Sequence, residues 1–416
     1  MTIDATPSRP KARLSFRLLG SALLSATALV ALGGAALADP EFVKQVKPGQ
    51  GLYEIVFGAS TNRVYVAAAG ARGATETSVL ALDPATLETR ETIPTGDDPM
   101  FGLGINTKTK TLYGTQTRDG SVGVIDLASG KVVAKLAKGE KAHVREVAVD
   151  EAKNRAYVTV LGMRDTPSAV WIIDGATNKI VDSIDDLTGG IAGIALDAKN
   201  NRLFLSALQA NEVVVVDLAS KKVTNRYPTG GEGAINLVYD ASGDQVFVAN
   251  QGSGEVTVLD AKDGKLIKEI PTGGGALSVA LDAKRSILYV ANRTGGFVSL
   301  IDTKTLDPIA NVVTGSMPQT IAVDAESGNV YVSNKVKSVP RPRPPEGAAA
   351  PAGAPPAGAP PAGATPVAAA PAGASPAGAP AGAPAGAPPA GGPGGERGRP
   401  VPMVDPFGDT VTLIKP

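Results

Sequence analysis

The stretch ALSVALDAKRSILYVANRTGGFVSLID, residues 276–302, decides the fold. It holds three short apolar runs. The first ends in Asp282, the second carries Tyr289 and ends in Asn292, and the third ends in Asp302. Short runs rich in Val, Ile, Leu and Tyr, broken by Asp, Asn and Gly, read as β-strands joined by tight turns.

Outward from this stretch the same runs recur. The third kind ends at Asp83, Asp126, Asp174, Asp217, Asp260 and Asp302, at spacings of 43, 48, 43, 43 and 42 residues. The first kind ends at Asp150, Asp197, Asp240, Asp282 and Asp324, with weaker copies ending at Gly58 and Asn106. The aromatic kind is centred on Tyr65, Tyr113, Tyr157, Phe204, Phe247, Tyr289 and Tyr331, which makes seven copies. A fourth run follows each third-run Asp and often closes in Pro-Thr-Gly, as at 94–96, 228–230 and 271–273. Four strands per unit at this period is the propeller signature. The expected fold is all-β: a seven-bladed β-propeller with four antiparallel strands, a to d, in each blade. Both faces of a blade pack on neighbouring blades, so the strands are expected to be almost continuously apolar.

Closure is legible too. The last unit offers strand a at 320–324, strand b at 329–334 and strand c at 409–414, and no strand d follows. Near the other end, FVKQVKPG at 42–49 matches LIKEIPTG at 266–273, a strand d. The N-terminal strand is therefore expected to complete blade seven, closing the ring and removing its exposed edges.

Two segments stand outside the repeat. Residues 1–38 carry Arg9, Lys11, Arg13 and Arg17, an apolar run at 18–32, and Ala36-Leu37-Ala38 before Asp39. That is the pattern of a cleaved secretory signal, with no Arg-Arg pair to indicate the twin-arginine route. A Sec-type signal peptide and a periplasmic or secreted mature protein are expected. Residues 339–401 are dominated by Pro, Ala and Gly, a composition that cannot offset its ordering entropy. A disordered, partly polyproline-II spacer is expected there, swelling the b–c loop of blade seven. The expected organisation is a signal peptide at 1–38, propeller at 39–338, insert at 339–401 and the last strand of blade seven at 402–416.

Composition narrows the chemistry. The chain has no Cys and one His, His143. Disulfides, Cys-held zinc, iron–sulfur clusters, covalent c-type haem and multi-histidine metal sites are excluded. No cofactor is expected. Forty basic residues balance forty acidic ones, and removal of 1–38 leaves a net charge of −3. A general nucleic-acid binder usually carries a basic excess. No segment of the mature chain is long and apolar enough to span a membrane, and a monomer is expected.

The sequences Phe247-Val248-Ala249-Asn250, Tyr289-Val290-Ala291-Asn292 and Tyr331-Val332-Ser333-Asn334 resemble the Y-V-T-N repeat of bacterial and archaeal surface propellers. The mature chain, insert apart, resembles YncE-like periplasmic proteins. That resemblance implies the propeller fold and a binding or interaction role with an undefined ligand. Blades one to four depart from the Asn, and the motif residues are read as turn builders.

Three sets of residues are weighed as sites. The Asp residues ending the strands are read as turn residues whose carboxylates accept backbone N–H bonds, not as metal ligands. The b–c loops offer Arg72, Arg118, Arg164, Arg293 and Lys335, with Gln209 and Gln251 in the remaining copies. Cations gathered on one rim make a candidate anion surface, against the plainer reading of solvated loop charge. The start of strand a faces the channel mouth on the same side, with Tyr53, Glu54, Phe101, His143, Arg145, Glu146, Asn236, Ser278 and Gln319. Gly102, Gly190 and Gly193 are expected to leave room there. His143 with Glu54 or Glu146 could perform acid–base work, yet a lone His beside Arg145 is more often a contact group. No nucleophile elbow, phosphate loop or dinucleotide fingerprint is present. The preferred reading is a non-enzymatic binding or scaffold propeller whose ligand, a protein or an anion, sits on the b–c/d–a face. The alternatives are a hydrolase or lactonase at the channel mouth, and a DNA-binding propeller.

Overall fold

A computed structural model of the chain describes residues 40–71, 73–139, 141–162, 166–337 and 405–415. The 1–38 leader and the 339–401 insert lie outside them. Among the described residues, twenty-eight strands form seven four-stranded antiparallel sheets. In blade five, strands a to d are Ala234–Asp240, Gln245–Asn250, Glu255–Asp260 and Leu266–Pro271. The a strands of successive blades contact one another around the ring, and blade seven contacts blade one.

Blade seven is built as its sequence demands. Its sheet runs, from the channel outward, Pro318–Val323, Val330–Asn334, Thr410–Lys415 and Glu41–Val46. Phe42 pairs with Ile414 as Leu266 pairs with Leu259 in blade five, so the matched segments occupy the same register.

Strands b and c are buried along nearly their whole length, for instance Val213–Val216 and Val246–Asn250. Their aromatics are among the best-buried side chains, with Tyr113, Phe204, Phe247, Tyr289 and Tyr331 at 0% exposure. Strand d departs from the expected pattern. Lys131–Leu136 and Lys222–Pro228 are mostly exposed, because a d strand has only c on one side and solvent on the other. Ring closure therefore leaves seven outer edges. Every blade carries a β-bulge in its c–d pairing, as between Val124 and Ile125 or Val258 and Leu259. A bulge adds local twist and makes an edge a poorer template for another strand.

The strand-ending Asp residues do what their sequence position implies. Asp83 Oδ1 accepts the N–H groups of Ala85 and Thr86 at 3.0 and 2.9 Å, and Asp174, Asp260 and Asp302 repeat the arrangement. The Y-V-T-N-like Asn residues are not only turn builders: Asn334 Oδ1 accepts the Gly315 N–H in the connection before strand a at 3.1 Å, but all three also work within the sheet. Asn250, Asn292 and Asn334 are fully buried, and their amides donate across to strand c, to Thr257, Ser299 and Thr412 at 3.0, 2.9 and 3.0 Å. A side chain at the end of strand b points into the sheet stack, where the nearest partner is a hydroxyl on its neighbour strand.

The third position of the motif has its own role. In blades two, three, four and seven it is Thr115, Thr159, Ser206 and Ser333. Each hydroxyl accepts a strand-a N–H of its own blade and donates to a strand-a carbonyl of the next. Thr159 takes the Glu146 N–H at 3.0 Å and gives to the Ala192 carbonyl at 2.8 Å. Ser206 takes Gly193 at 2.8 Å and gives to Ile235 at 3.0 Å. Ser333 carries the link across the seam to the Tyr53 carbonyl at 2.6 Å. These hydroxyls tie neighbouring blades together beside the channel.

Candidate functional site at the channel mouth

In every blade but the second, strand a enters through a second bulge. In blade one Leu52 pairs with Ala68, but the next pair is Ile55 with Val66, so strand a carries one extra residue. Blades three and four do the same between Val144 and Val147 and between Ile191 and Ile194, and blades five to seven carry a bulge at the matching place. Consecutive strand residues normally point to opposite faces. The bulge breaks that alternation, so Tyr53 and Glu54, or Arg145 and Glu146, both line the channel mouth. In blades three, four and seven the strand-a N–H beside the bulge, that of Glu146, Gly193 or Thr320, is held by the blade-to-blade hydroxyl.

The result is a cavity of about 470 Å3 at the mouth, within the range usual for small-molecule sites. In register, the inner tier reads Glu54, Gly102, Glu146, Gly193, Asn236, Ser278 and Thr320. The middle tier reads Tyr53, Phe101, Arg145, Ala192, Ile235, Leu277 and Gln319. The residues leaving strand b, Thr117, Leu208, Gln251, Arg293 and Lys335, form the rim. Gly102 and Gly193 do not simply leave room. A Cβ at Gly102 would collide with the Arg145 carbonyl, and one at Gly193 would lie 2.9 Å from Asn236 Cα, so both glycines permit close blade contact. Gly190 serves the turn into strand a with φ +71°.

Two sets of residues read separately from the sequence converge here. Arg118, Arg293 and Lys335 from the b–c loops line the same cavity as Tyr53, Glu54, His143, Arg145, Glu146, Asn236 and Gln319 from strand a. The cationic ring itself is corrected. Gln251, Arg293 and Lys335 are true equivalents, but Arg118 and Gln209 come one residue later than theirs, which are Thr117 and Leu208. Gln209 is exposed, and Arg118 reaches the mouth by extending over Phe101. Arg72 and Arg164 lie outside the described residues.

The cations cluster around Tyr53. Lys335 Nζ lies 3.1 Å from the centroid of the Tyr53 ring. Phe101 meets Tyr53 edge-on at 4.7 Å, and Arg118 Cζ is 6.0 Å from the Phe101 ring. Arg118 Nη1 donates to the Ala74 carbonyl at 3.3 Å. Among the described residues, none of Arg118, Arg145, Arg293 and Lys335 is in an ion pair. Arg293 Nε and Gln319 Oε1 are buried with no hydrogen-bond partner among them. Such a donor is costly to leave unmade.

Electrostatics follow from this crowding. Burial, and then Arg293, push the Lys335 amine down to about 8, with Asp409 working the other way. Burial also lowers Arg293 and raises the Tyr53 phenol, the latter against the pull of Arg293, Arg118 and Arg145. Glu54 is held well above the usual carboxylate range, first by burial and then by Glu146, with Thr320 and Arg145 working the other way. Burial raises Glu146 against Arg145. Burial and Arg145 both lower His143, which favours its neutral form. The mouth carries a positive excess, and its acids are the groups least able to neutralise it.

The sequence reading missed the apolar wall. Leu208, Ile235 and Leu277 line blades four to six and belong with Ala192 to one hydrophobic cluster that reaches the cavity. In a regular strand Ile235 would face only the blade interior, and no residue type in the stretch announces the bulge. No group of three or more His, Asp or Glu side chains among the described residues is placed to hold a metal ion. No helix among them is long and apolar enough to cross a membrane.

Fold and mouth define a seven-bladed propeller with a small-molecule-sized cavity at one end of its channel. Residues 161–338 match the family described as YNCE-like beta-propeller, so this part of the chain is similar to that family. The relatives it resembles include an uncharacterized protein YncE of Escherichia coli (strain K12), 30% identical over 199 residues, which are 46% of this chain and 55% of that one. The uncharacterized protein YncE of Salmonella typhi is 32% identical over 197 residues, 45% and 54% of the two chains. The chain thus spans about half the length of the curated relatives it matches.

Proposed function

We propose that this chain is an exported, non-enzymatic binding propeller that captures an anionic ligand at the channel mouth. The single observation that carries the reading is the cluster of Arg118, Arg293 and Lys335 around Tyr53, with no carboxylate paired to any of them among the described residues. Cations brought together and partly desolvated repel one another, and that cost is relieved when an anion enters. Export rests on the charged start, apolar run and small-residue exit of residues 1–38.

The test is equilibrium binding of labelled anions, including a carboxylate and a single-stranded oligonucleotide, to the mature protein at several salt concentrations. The comparison is a variant carrying Arg118→Gln, Arg293→Gln and Lys335→Gln. Salt-sensitive binding lost in the variant supports the reading. Binding confined to the oligonucleotide turns the site to nucleic acid. Turnover of an ester or lactone that depends on His143 or Glu54 overturns the non-enzymatic part.

A further inference from the structure

We infer that the ligand is an amphipathic monoanion: a carboxylate, or a group of like charge, joined to a compact apolar body such as a fused ring or a short acyl chain. This inference rests on the anion reading and adds the ligand's second half.

The cavity is divided. Blades seven, one and two contribute Lys335, Tyr53, Phe101 and Arg118, with Arg293 reaching in from blade six. Further round the ring, blades four to six contribute Leu208, Ile235 and Leu277, the last on the same blade as Arg293, and these continue directly into a hydrophobic cluster. A small inorganic anion would satisfy the first half and leave the second facing water. An apolar wall inside a cavity contributes affinity only when apolar surface covers it, at about 25 cal/mol per Å2 removed from water. The aromatic pair extends the apolar lining towards the cations, because Tyr53 and Phe101 offer ring faces and edges as well as the phenol. Donors bear out the polarity of the split. The partnerless buried Nε belongs to Arg293, on the cationic half.

The charge should be single. The cations stand on the rim and middle tier, while the inner tier beneath them offers Glu54, Glu146, Asn236, Ser278 and Thr320 and no cation, so a second anionic group deeper in the mouth would meet no counter-charge. One anionic head near Arg293 and Lys335, with the body lying over Leu208 and Leu277, places each ligand group against its complement.

The experiment is calorimetric titration of the mature protein with four probes: 2-naphthoate, its neutral analogue 2-acetylnaphthalene, acetate and inorganic phosphate. The expected result is that 2-naphthoate binds at least tenfold tighter than each of the other three. Leu208→Ser, at a half-buried rim position where folding should survive, should bring 2-naphthoate close to the acetate level. Arg293→Gln should weaken 2-naphthoate tenfold or more while leaving 2-acetylnaphthalene unchanged, and circular dichroism of both variants should report the intact fold. If acetate or phosphate binds as tightly as 2-naphthoate, and Arg293→Gln abolishes both, the apolar half is wrong and the anion reading stands. If 2-acetylnaphthalene equals 2-naphthoate, the anionic head is wrong. If no probe binds while labelled oligonucleotide does, the amphipathic ligand is overturned. If no anion of any kind binds, both readings fail.

Discussion

The ammonium of Lys335, from blade seven, stands 3.1 Å from the centroid of the Tyr53 ring, from blade one. The pair bridges the seam where the ring closes. A cation over an aromatic face gains about 0.5–2 kcal/mol, more when desolvated. That is too little to replace the water and counter-charge a lysine ordinarily keeps, which is why its amine is lowered to about 8. The site keeps a cation under strain and available.

Anion binding should therefore depend on pH through Lys335. Below about pH 8 the amine is charged and attracts the ligand; above it that attraction fades. A bound anion favours the ammonium, so binding near pH 8 should take up protons. Calorimetry in buffers of different ionisation enthalpy would measure the uptake, and Lys335→Gln should remove it. In the free protein the sign is set by the same depression. The unfolded chain holds its proton up to about 10.5, so folding stability gains from this group as pH rises from about 8 towards that value. A flat proton balance on binding would place Lys335 outside the site.

Glu54 predicts the opposite slope. Its folded-state carboxyl is raised by burial and by Glu146, so its contribution is fully present below 4.5 and is lost as pH climbs through the raised value. Glu54→Gln removes the like charge and the desolvated carboxylate together. Urea unfolding of this variant should show a smaller decline in stability above pH 4.5 than the parent. Equal pH profiles would mean that the carboxyl is solvated like any surface acid.

The blade-to-blade hydroxyls should matter to stability. Thr159→Val keeps the shape of a fully buried side chain but leaves the Glu146 N–H and the Ala192 carbonyl without their partner at 3.0 and 2.8 Å. Stranding buried groups in this way costs about 1–3 kcal/mol each, so a loss of at least about 2 kcal/mol is expected from chemical denaturation. A change near zero would show that water or backbone movement satisfies both groups.

The insert should be removable. Lys337, just before it, donates its N–H to Asp405 Oδ2 at 3.0 Å, and Asp405 also accepts from Ser316 and from the Phe407 N–H. The chain on either side of the insert thus meets on one carboxylate. Replacing residues 338–404 with Gly-Ser-Gly should leave the unfolding midpoint within about 2 °C, since each kcal/mol moves a chain of this size by about 2–4 °C. Asp405→Ala in the shortened protein should lower it. A fall of many degrees on excision alone would give the insert a structural role in blade seven.

Repeat, blade number and closing strand were all legible, because each depends on a pattern that the backbone repeats: apolar runs, turn-forming Asp and a duplicated strand d. The Asp83 and Asp302 turns needed only their own neighbours in sequence. The mouth was half legible. Tyr53, Arg145 and Arg293 could be placed by counting from strand ends, but Arg118 and Gln209 slipped by one residue because they stand second, not first, in b–c loops of the same four-residue length as those of blades five and six. Ile235 and Leu277 were hidden for another reason. A bulge aims them at the cavity, and a bulge is a property of two paired strands that neither sequence carries alone. The part played by Asn292 was obscured likewise, since its partner Ser299 lies on the next strand.

The bulges and hydroxyls at the mouth have an evolutionary corollary. Tyr53, Arg145 and Ile235 each have their backbone carbonyl gripped by a neighbouring blade, whatever their side chains touch. The grip is indifferent to what each residue carries beyond Cβ. Selection can therefore rewrite the side chains facing the ligand one blade at a time while the ring that presents them stays intact, so related propellers could diverge in what they recognise long before they diverge in shape.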